Sequence, residues 1–404
     1  MRLSFLLSLL PLVAASPAGK RAEPAPILSA RGETKDIIAD KYIVKFKEGS
    51  SLAGLEEAFE SVGEKPDTVY SEGVFIGFAG KMSSLTLEAV RQHPDVEYIE
   101  QASLMSAQGY ITQGRSSWGP ARISHRKPNS NQYNYDESAG EGTCSYIIDS
   151  GIDADHPEFE GRATDLGRWG PGPDHDDCLH GTHVAGIIGS KTYGVAKKTQ
   201  LFGLKVLSYS AQDGGGGGGG GGGCLGDNSD IIAGVNAVAK DAAKRHCPNG
   251  VFVNMSLGGG YSRALNDAVD NLAGRGIFVA VAAGNKNKDA SGVSPASAKN
   301  VCCVGGTDSS DHRYVDSNYG ANVDVAAPGV VVLSTFPNGR TGYMTGTSMA
   351  TPHVAGLAAY LAAKDGVSGP DICSTIQDSA TANAIVDQIR GTKNLIAFNG
   401  NPRG

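Results

Sequence analysis

The chain has 404 residues, of which 40% are hydrophobic and 19% charged, with a formal net charge of -7 and a pI near 5.7. That length exceeds one small domain and allows a large core beside a smaller unit. No block of Lys and Arg stands out, which argues against a nucleic-acid partner, because phosphate backbones are bound by clustered positive charge.

The first residues, MRLSFLLSLLPLVAAS, carry one basic side chain, Arg2, then an apolar run from Leu3 to Ala14, then small residues. This pattern predicts a secretory signal over residues 1–15 and an extracellular protein. The run is too short to span a bilayer and no later stretch is long and apolar enough, so no membrane association is expected. Export makes the seven cysteines candidates for disulfides, with an odd one left over.

Residues 16–35, rich in Pro, Ala, Gly and charge, read as a linker. KYIVKFKEG (41–49) alternates as a strand, and SLAGLEEAFESVG (51–63) has helical spacing ended by Gly63. VFIGFAG (74–80) is a strand, SLTLEAVRQHP (84–94) a helix stopped by Pro94, and VEYIEQ (96–101) a strand. Together they predict a β-α-β-α-β unit over 36–105. It lacks cysteine and has few groups suited to catalysis.

A polar stretch begins at 106. Beyond it, near-continuous apolar strands, CSYIID (144–149), LFGLKVL (201–207), VFVNMSL (251–257) and GIFVAVAAGN (276–285), alternate with helical stretches at 230–245 and 262–275. Such strands separated by helices imply an α/β domain with a parallel sheet of seven or so strands flanked by helices. Ten consecutive glycines, Gly214–Gly223, interrupt it and read as a flexible insertion.

Three segments carry chemistry. YIIDSGID (146–153) delivers Asp149 at the C-terminal end of a strand, where sites form in open α/β sheets. HGTHVAGIIGS (180–190) opens a helix with His180, and Gly181 permits close backbone approach. GTSMATPHVAGLAAYLAA (346–363) sets Ser348 at a helix N-terminus, where free amides and the positive dipole end favour an oxyanion. Pro352 is expected within the first turn, whose amides lack intrahelical acceptors. A serine nucleophile needs that setting and a neighbouring imidazole to take its proton. His183 and His353 are expected to be buried structural residues, and the sequon at Asn254 to be buried and unmodified. A competing reading takes His175, Cys178, His180 and His183 as zinc ligands; elemental analysis separates the two.

The order Asp, His, Ser, with HGTHVAG and GTSMATPHVAG, resembles the subtilisin-like serine proteases. YDESAGEGTCSYIIDSGIDADHPEFEGRA and TYGVAKKTQLFGLKVL are most similar to the secreted fungal proteinase K group. The resemblance runs from 116 to 404, and residues 41–101 resemble the family's propeptide inhibitor, which makes 36–105 the inhibitor domain. It implies a broad-specificity, self-processing endopeptidase, monomeric, acting on protein substrates and inhibited by its own propeptide. It makes Ser348 the nucleophile, His180 the general base, Asp149 its partner and Asn285 an oxyanion donor. Leu225, Gly226 and Asp227 on one side, and Ser256, Leu257 and Gly258 on the other, would pair with an extended substrate. Structural calcium is implied at Asp324 with the carbonyls of Lys299 and Val301; a weaker site is doubtful because Arg126 replaces a small hydroxyl residue. Disulfides are implied between Cys144 and Cys247, Cys302 and Cys373, and Cys178 and Cys224, leaving Cys303 free. A processing segment over 106–115 would place residues 107–110 in the substrate groove, with cleavage after Tyr110 leaving Ile111 as the new N-terminus. One departure is Leu179, where the family has Asn-Gly before the histidine; a tighter loop is expected there.

Overall fold

The computed structural model describes residues 23–28, 37–50, 66–71, 73–103, 109–211 and 223–404. The predicted helix at 51–63 and Gly214–Gly222 lie outside them. Two compact units divide between Ala107 and Gln108.

In the smaller unit, β1 (Ile27–Leu28), β2 (Ile37–Phe46), β3 (Thr68–Tyr70), β4 (Gly77–Lys81) and β5 (Val96–Ser103) form one sheet in the order β1-β5-β2-β4-β3. Helix α1 (Ser84–Arg91) is capped by Ser83, whose hydroxyl accepts the Thr86 amide at 3.2 Å. Val44, Phe46, Phe78, Val90, Val96 and Ile99 are the inward residues of these elements and form the core. The reading of 16–35 as a linker is corrected at its centre. Pro24 and Pro26 favour extended backbone, β1 pairs in parallel with β5, and the amide of the buried Ala25 donates to Arg91 O at 2.9 Å.

The larger unit begins with β6 (Tyr110–Gly114), α2 (Trp118–Ile123) and β7 (Gln132–Asp136), β6 and β7 forming an antiparallel pair. Its main sheet uses β8 (Cys144–Asp149), β9 (Ala163–Arg168), β10 (Gln200–Lys205), β13 (Val251–Met255), β15 (Phe278–Ala282), β17 (Cys302–Thr307), β18 (Val325–Pro328), β21 (Thr381–Ala382) and β22 (Leu395–Ile396). The order is β21-β22-β18-β17-β15-β13-β8-β10-β9, parallel except for the β21–β22 pair. The sheet is thus wider than expected, because Ala163–Arg168 and the C-terminal strands extend its two edges. Helices α3 (His180–Gly189) and α6 (Thr347–Asp365) pack with one apolar cluster, and α4 (Asn228–Ala242) and α5 (Arg263–Ala273) with another. The two clusters take alternate residues of β8: Ile147 belongs to the first, Tyr146 and Ile148 to the second. An apolar run is therefore required, since neither face of the strand meets water.

Short antiparallel pairs rim the sheet: β11 (Ser208–Ser210) with β12 (Gly223–Leu225), β14 (Gly259–Gly260) with β16 (Val293–Ser294), and β19 (Val332–Phe336) with β20 (Arg340–Met344). Helix α7 (Ile372–Ser379) completes the elements.

Candidate active site

Asp149 is the last residue of β8 and fully buried. Its Oδ1 lies 2.7 Å from His180 Nδ1 and accepts the Ser150 amide at 2.7 Å. His180 opens α3 beside it. Gly181 is obligatory there, because a Cβ would stand 2.1 Å from Gly151 O. Burial disfavours the imidazolium, but the charge and hydrogen bond of Asp149, with Asp176 behind, outweigh it and raise the His180 pKa above its ordinary value.

Ser348 stands in the first turn of α6. Gly346 caps that helix at φ 153°, and a Cβ on it would press 3.2 Å from Asn285 Nδ2. The Asn285 Oδ1 accepts the amide and hydroxyl of Thr347, each at 2.8 Å, which fixes the side chain and leaves its amide group as a donor. Pro352 sits a turn deeper than the sequence reading placed it. Its missing N–H would have reached the carbonyl of Ser348; Ser256 Oγ donates there instead, at 2.7 Å. Ser348 Oγ in turn donates to Ser256 O at 3.2 Å. Ser256, just past the end of β13, thus holds the nucleophile's helix by reciprocal bonds that periodicity does not reveal.

A cleft of roughly 380 Å³ opens beside Ser348 and Asn285. Leu225 lines one side; Leu257, Gly258, Gly259 and Gly260 line another, with Ala282, Gly284 and Val293 among the remaining lining residues. Of the six expected substrate-edge residues, Leu225, Leu257 and Gly258 face this cleft. Ser256 is engaged with Ser348, a Cβ on Gly226 would strike Val206 O at 2.2 Å, and Asp227 is the N-cap residue before α4.

The loop before His180 is built by two aspartates not singled out from the sequence. Asp176 accepts Ser150 Oγ at 2.7 Å, the Cys178 amide at 3.2 Å and the Thr182 amide at 2.9 Å. Asp177 meets the buried Lys205 ammonium at 2.5 Å and accepts Ser208 Oγ at 2.6 Å. The only signal in the sequence was two carboxylates adjacent to the histidine motif. Leu179 takes the left-handed conformation, φ 65°, which lets the shortened loop turn into α3. The zinc alternative loses its ligands here: Cys178 is bonded to Cys224, and His183 Nε2 contacts the carbonyls of Val332 and Gly342 at 3.0 and 3.1 Å. His183 and His353 are both fully buried, as is Asn254, whose amide donates to Ser256 Oγ at 3.0 Å.

Residues 140–393 match the Subtilase family and residues 41–108 match Peptidase inhibitor I9. The chain belongs to the subtilase family. It is 50% identical over 403 residues to the "Cuticle-degrading protease" of Metarhizium anisopliae, covering 99% of this chain and 100% of that one. It is 49% identical over 403 residues to "Proteinase R" of Parengyodontium album, covering 99% of each. A cold adapted subtilisin-like serine proteinase of known crystal structure superposes with a TM-score of 0.62 at 37% identity, covering 71% of this chain and 99% of that one. This subtilase is a serine protease with an inhibitor domain of the propeptide kind.

Its disulfides join Cys144 to Cys247, Cys178 to Cys224 and Cys302 to Cys373, with Cα separations of 5.7, 5.9 and 5.6 Å. Cys303 is buried and free, and burial, with Asp324 nearby, pushes its thiol pKa up. One expectation needs correction. Gly109 and Tyr110 do not lie in the groove: Gly109 O accepts the Glu137 amide at 3.1 Å, Tyr110 pairs with Asp136, and its hydroxyl lies 3.4 Å from Gly400 O. Residues 107 and 108 lie outside the described ones. Asp324, the expected calcium ligand, is held by protein groups. Its Oδ1 is 2.8 Å from Lys393 Nζ and its Oδ2 accepts the Cys303 amide at 3.0 Å, so both oxygens are engaged. The amides of Lys299 and Asn300 turn to Asp270 Oδ1 at 2.8 Å each. Arg126, at the doubtful second site, lies over the Phe398 ring at 4.1 Å and donates to the Ala380 carbonyl at 3.3 Å.

Proposed function

We propose that Asp149, His180 and Ser348 form the catalytic triad of a broad-specificity endopeptidase. The observation that carries the reading is the 2.7 Å contact of buried Asp149 with His180 Nδ1; Ser348, in the first turn of α6, lines the cleft with Asn285. Asp149 holds the ring so that Nε2 is the basic nitrogen. In the working enzyme the Ser348 hydroxyl would leave Ser256 O for that nitrogen; such bonds are often loose before substrate arrives. Ser348 Oγ adds to the scissile carbonyl as His180 takes its proton. The tetrahedral oxyanion is held by the Asn285 amide and the Ser348 backbone N–H. His180 then protonates the leaving amine, and water hydrolyses the acyl-enzyme by the reverse sequence.

Leu225 and the 257–260 segment bind the substrate as an added strand, with Gly226, Asp227 and Ser256 shaping that edge. Main-chain pairing reads few side chains, and a cleft wall of Gly, Ala and Val admits many residues, hence broad specificity. The protein is secreted as a monomer, with residues 1–15 removed as a signal and 36–105 acting as inhibitor. Processing falls within 106–115, with cleavage after Tyr110 leaving Ile111 as the mature N-terminus, and Ile111–Gly114 staying paired with β7. Incubation with a serine-directed phosphonate should label Ser348 alone, and Ser348→Ala should be unlabelled, inactive and unprocessed. Labelling at another serine, or peptide hydrolysis by Ser348→Ala, would overturn the assignment. A mature N-terminus lying well outside 106–118 would overturn the processing segment.

A further inference from the structure

We infer that the Lys393 ammonium occupies the cation position beside Asp324, so that this site is neutralised from within the chain and takes no metal. The ammonium lies 2.8 Å from Asp324 Oδ1 and 2.8 Å from Gln377 Oε1. The other Asp324 oxygen accepts the Cys303 amide, and the Asp324 amide donates to Cys303 O at 2.9 Å, which fixes the carboxylate between β17 and β18. The partners are held by separate constraints. Lys393 lies just before β22, which pairs with β18 through Ala326 and Ile396. Gln377 lies on α7, tied to β17 by the Cys302–Cys373 disulfide. Ladder and covalent contacts therefore hold the backbone beside Lys393 and the helix that carries Gln377.

A calcium ion needs six to eight oxygen ligands. Here the Lys393 ammonium already holds one Asp324 oxygen and the Cys303 amide the other, so a divalent ion would meet a positive charge where its carboxylate ligand stands. Cys302 and Cys373, which group with Asp324, are bonded to each other and offer no thiolate. Lys393 donates to two oxygens, carries its own charge compensation for Asp324 and adds none of the repulsion that a divalent ion would bring.

The test uses the secreted mature enzyme with its nucleophile blocked by a phosphonate to stop autolysis. The thermal midpoint is measured in excess calcium and in excess chelator, and the difference is the calcium increment. The increment should be the same in the native protein and in Asp324→Asn. Lys393→Met, or Lys393→Gln if the first is poorly folded, should show an increment larger by several degrees, which Asp324→Asn added to it removes. Lys393→Arg should retain the native increment. A native increment that Asp324→Asn diminishes would overturn the inference, as would a Lys393→Met or Lys393→Gln protein whose increment equals that of the native one.

Discussion

Replacing Cys178 and Cys224 together by serine tests how the cleft edge is held. The bond spans 46 residues of sequence and lies inside the loop closed by Cys144 and Cys247. Chain entropy for a free loop of that length amounts to about 4 kcal/mol. The outer disulfide already restricts the unfolded chain, so a loss of about 2–3 kcal/mol is expected. For a domain of this size that lowers the thermal midpoint by roughly 3–5 °C. The kinetic effect should be more telling. Cys224 pairs with Tyr209 on the short β11–β12 ladder, and Leu225 lines the cleft. Ten glycines precede Cys224, and glycine loses more freedom on ordering than any other residue. Without the bond, each binding event must order this edge, so KM for an extended peptide should rise several-fold while turnover changes little. Hydrolysis of a tetrapeptide and of a single-residue ester should be compared, with calorimetry of the phosphonate-blocked enzyme. An unchanged tetrapeptide KM, or a stability loss below about 1 kcal/mol, would refute the reasoning.

Asn285→Ala should lower kcat by about 10²–10³ with KM nearly unchanged, a magnitude known for this donor within the family rather than worked from the structure; stopped assays with a chromogenic peptide measure it. Burial drives the pKa of His183 and His353 down to about 4 each, from an ordinary 6.5. Between those values the unfolded chain binds protons that the native state refuses. Stability is therefore intact above about pH 6.5 and falls towards pH 4 by up to ~1.4 kcal/mol per unit for each histidine. Denaturant unfolding at several pH values reads the slope, and a flat profile there would contradict it. Because Asp149 holds the His180 pKa high, the acid limb of kcat/KM should lie above 6.5 and shift down in Asp149→Asn. Leu179→Gly should stabilise the enzyme or leave it unchanged, although glycine usually destabilises. A left-handed leucine costs about 1 kcal/mol or more, which offsets the entropy that glycine adds.

The strands and helices that carry the site were legible because their signals are local. CSYIID becomes β8 with Asp149 at its end, and HGTHVAGIIG becomes α3 with His180 first, since an apolar run or a helical period is written in neighbouring residues. The resemblance supplied the pairing of cysteines, which spacing alone leaves open. Tertiary structure decided what depends on residues far apart in sequence. Pro24–Leu28 had the composition of a linker, yet they dock because a sheet edge and Arg91 are within reach. Asp324 looked like a metal ligand until a lysine 69 residues away met it. Ser256 and Ser348, 92 residues apart, exchange the bonds that set the nucleophile's helix. A hydrogen bond acts over about 3 Å, and no periodicity records which distant side chains will come that close.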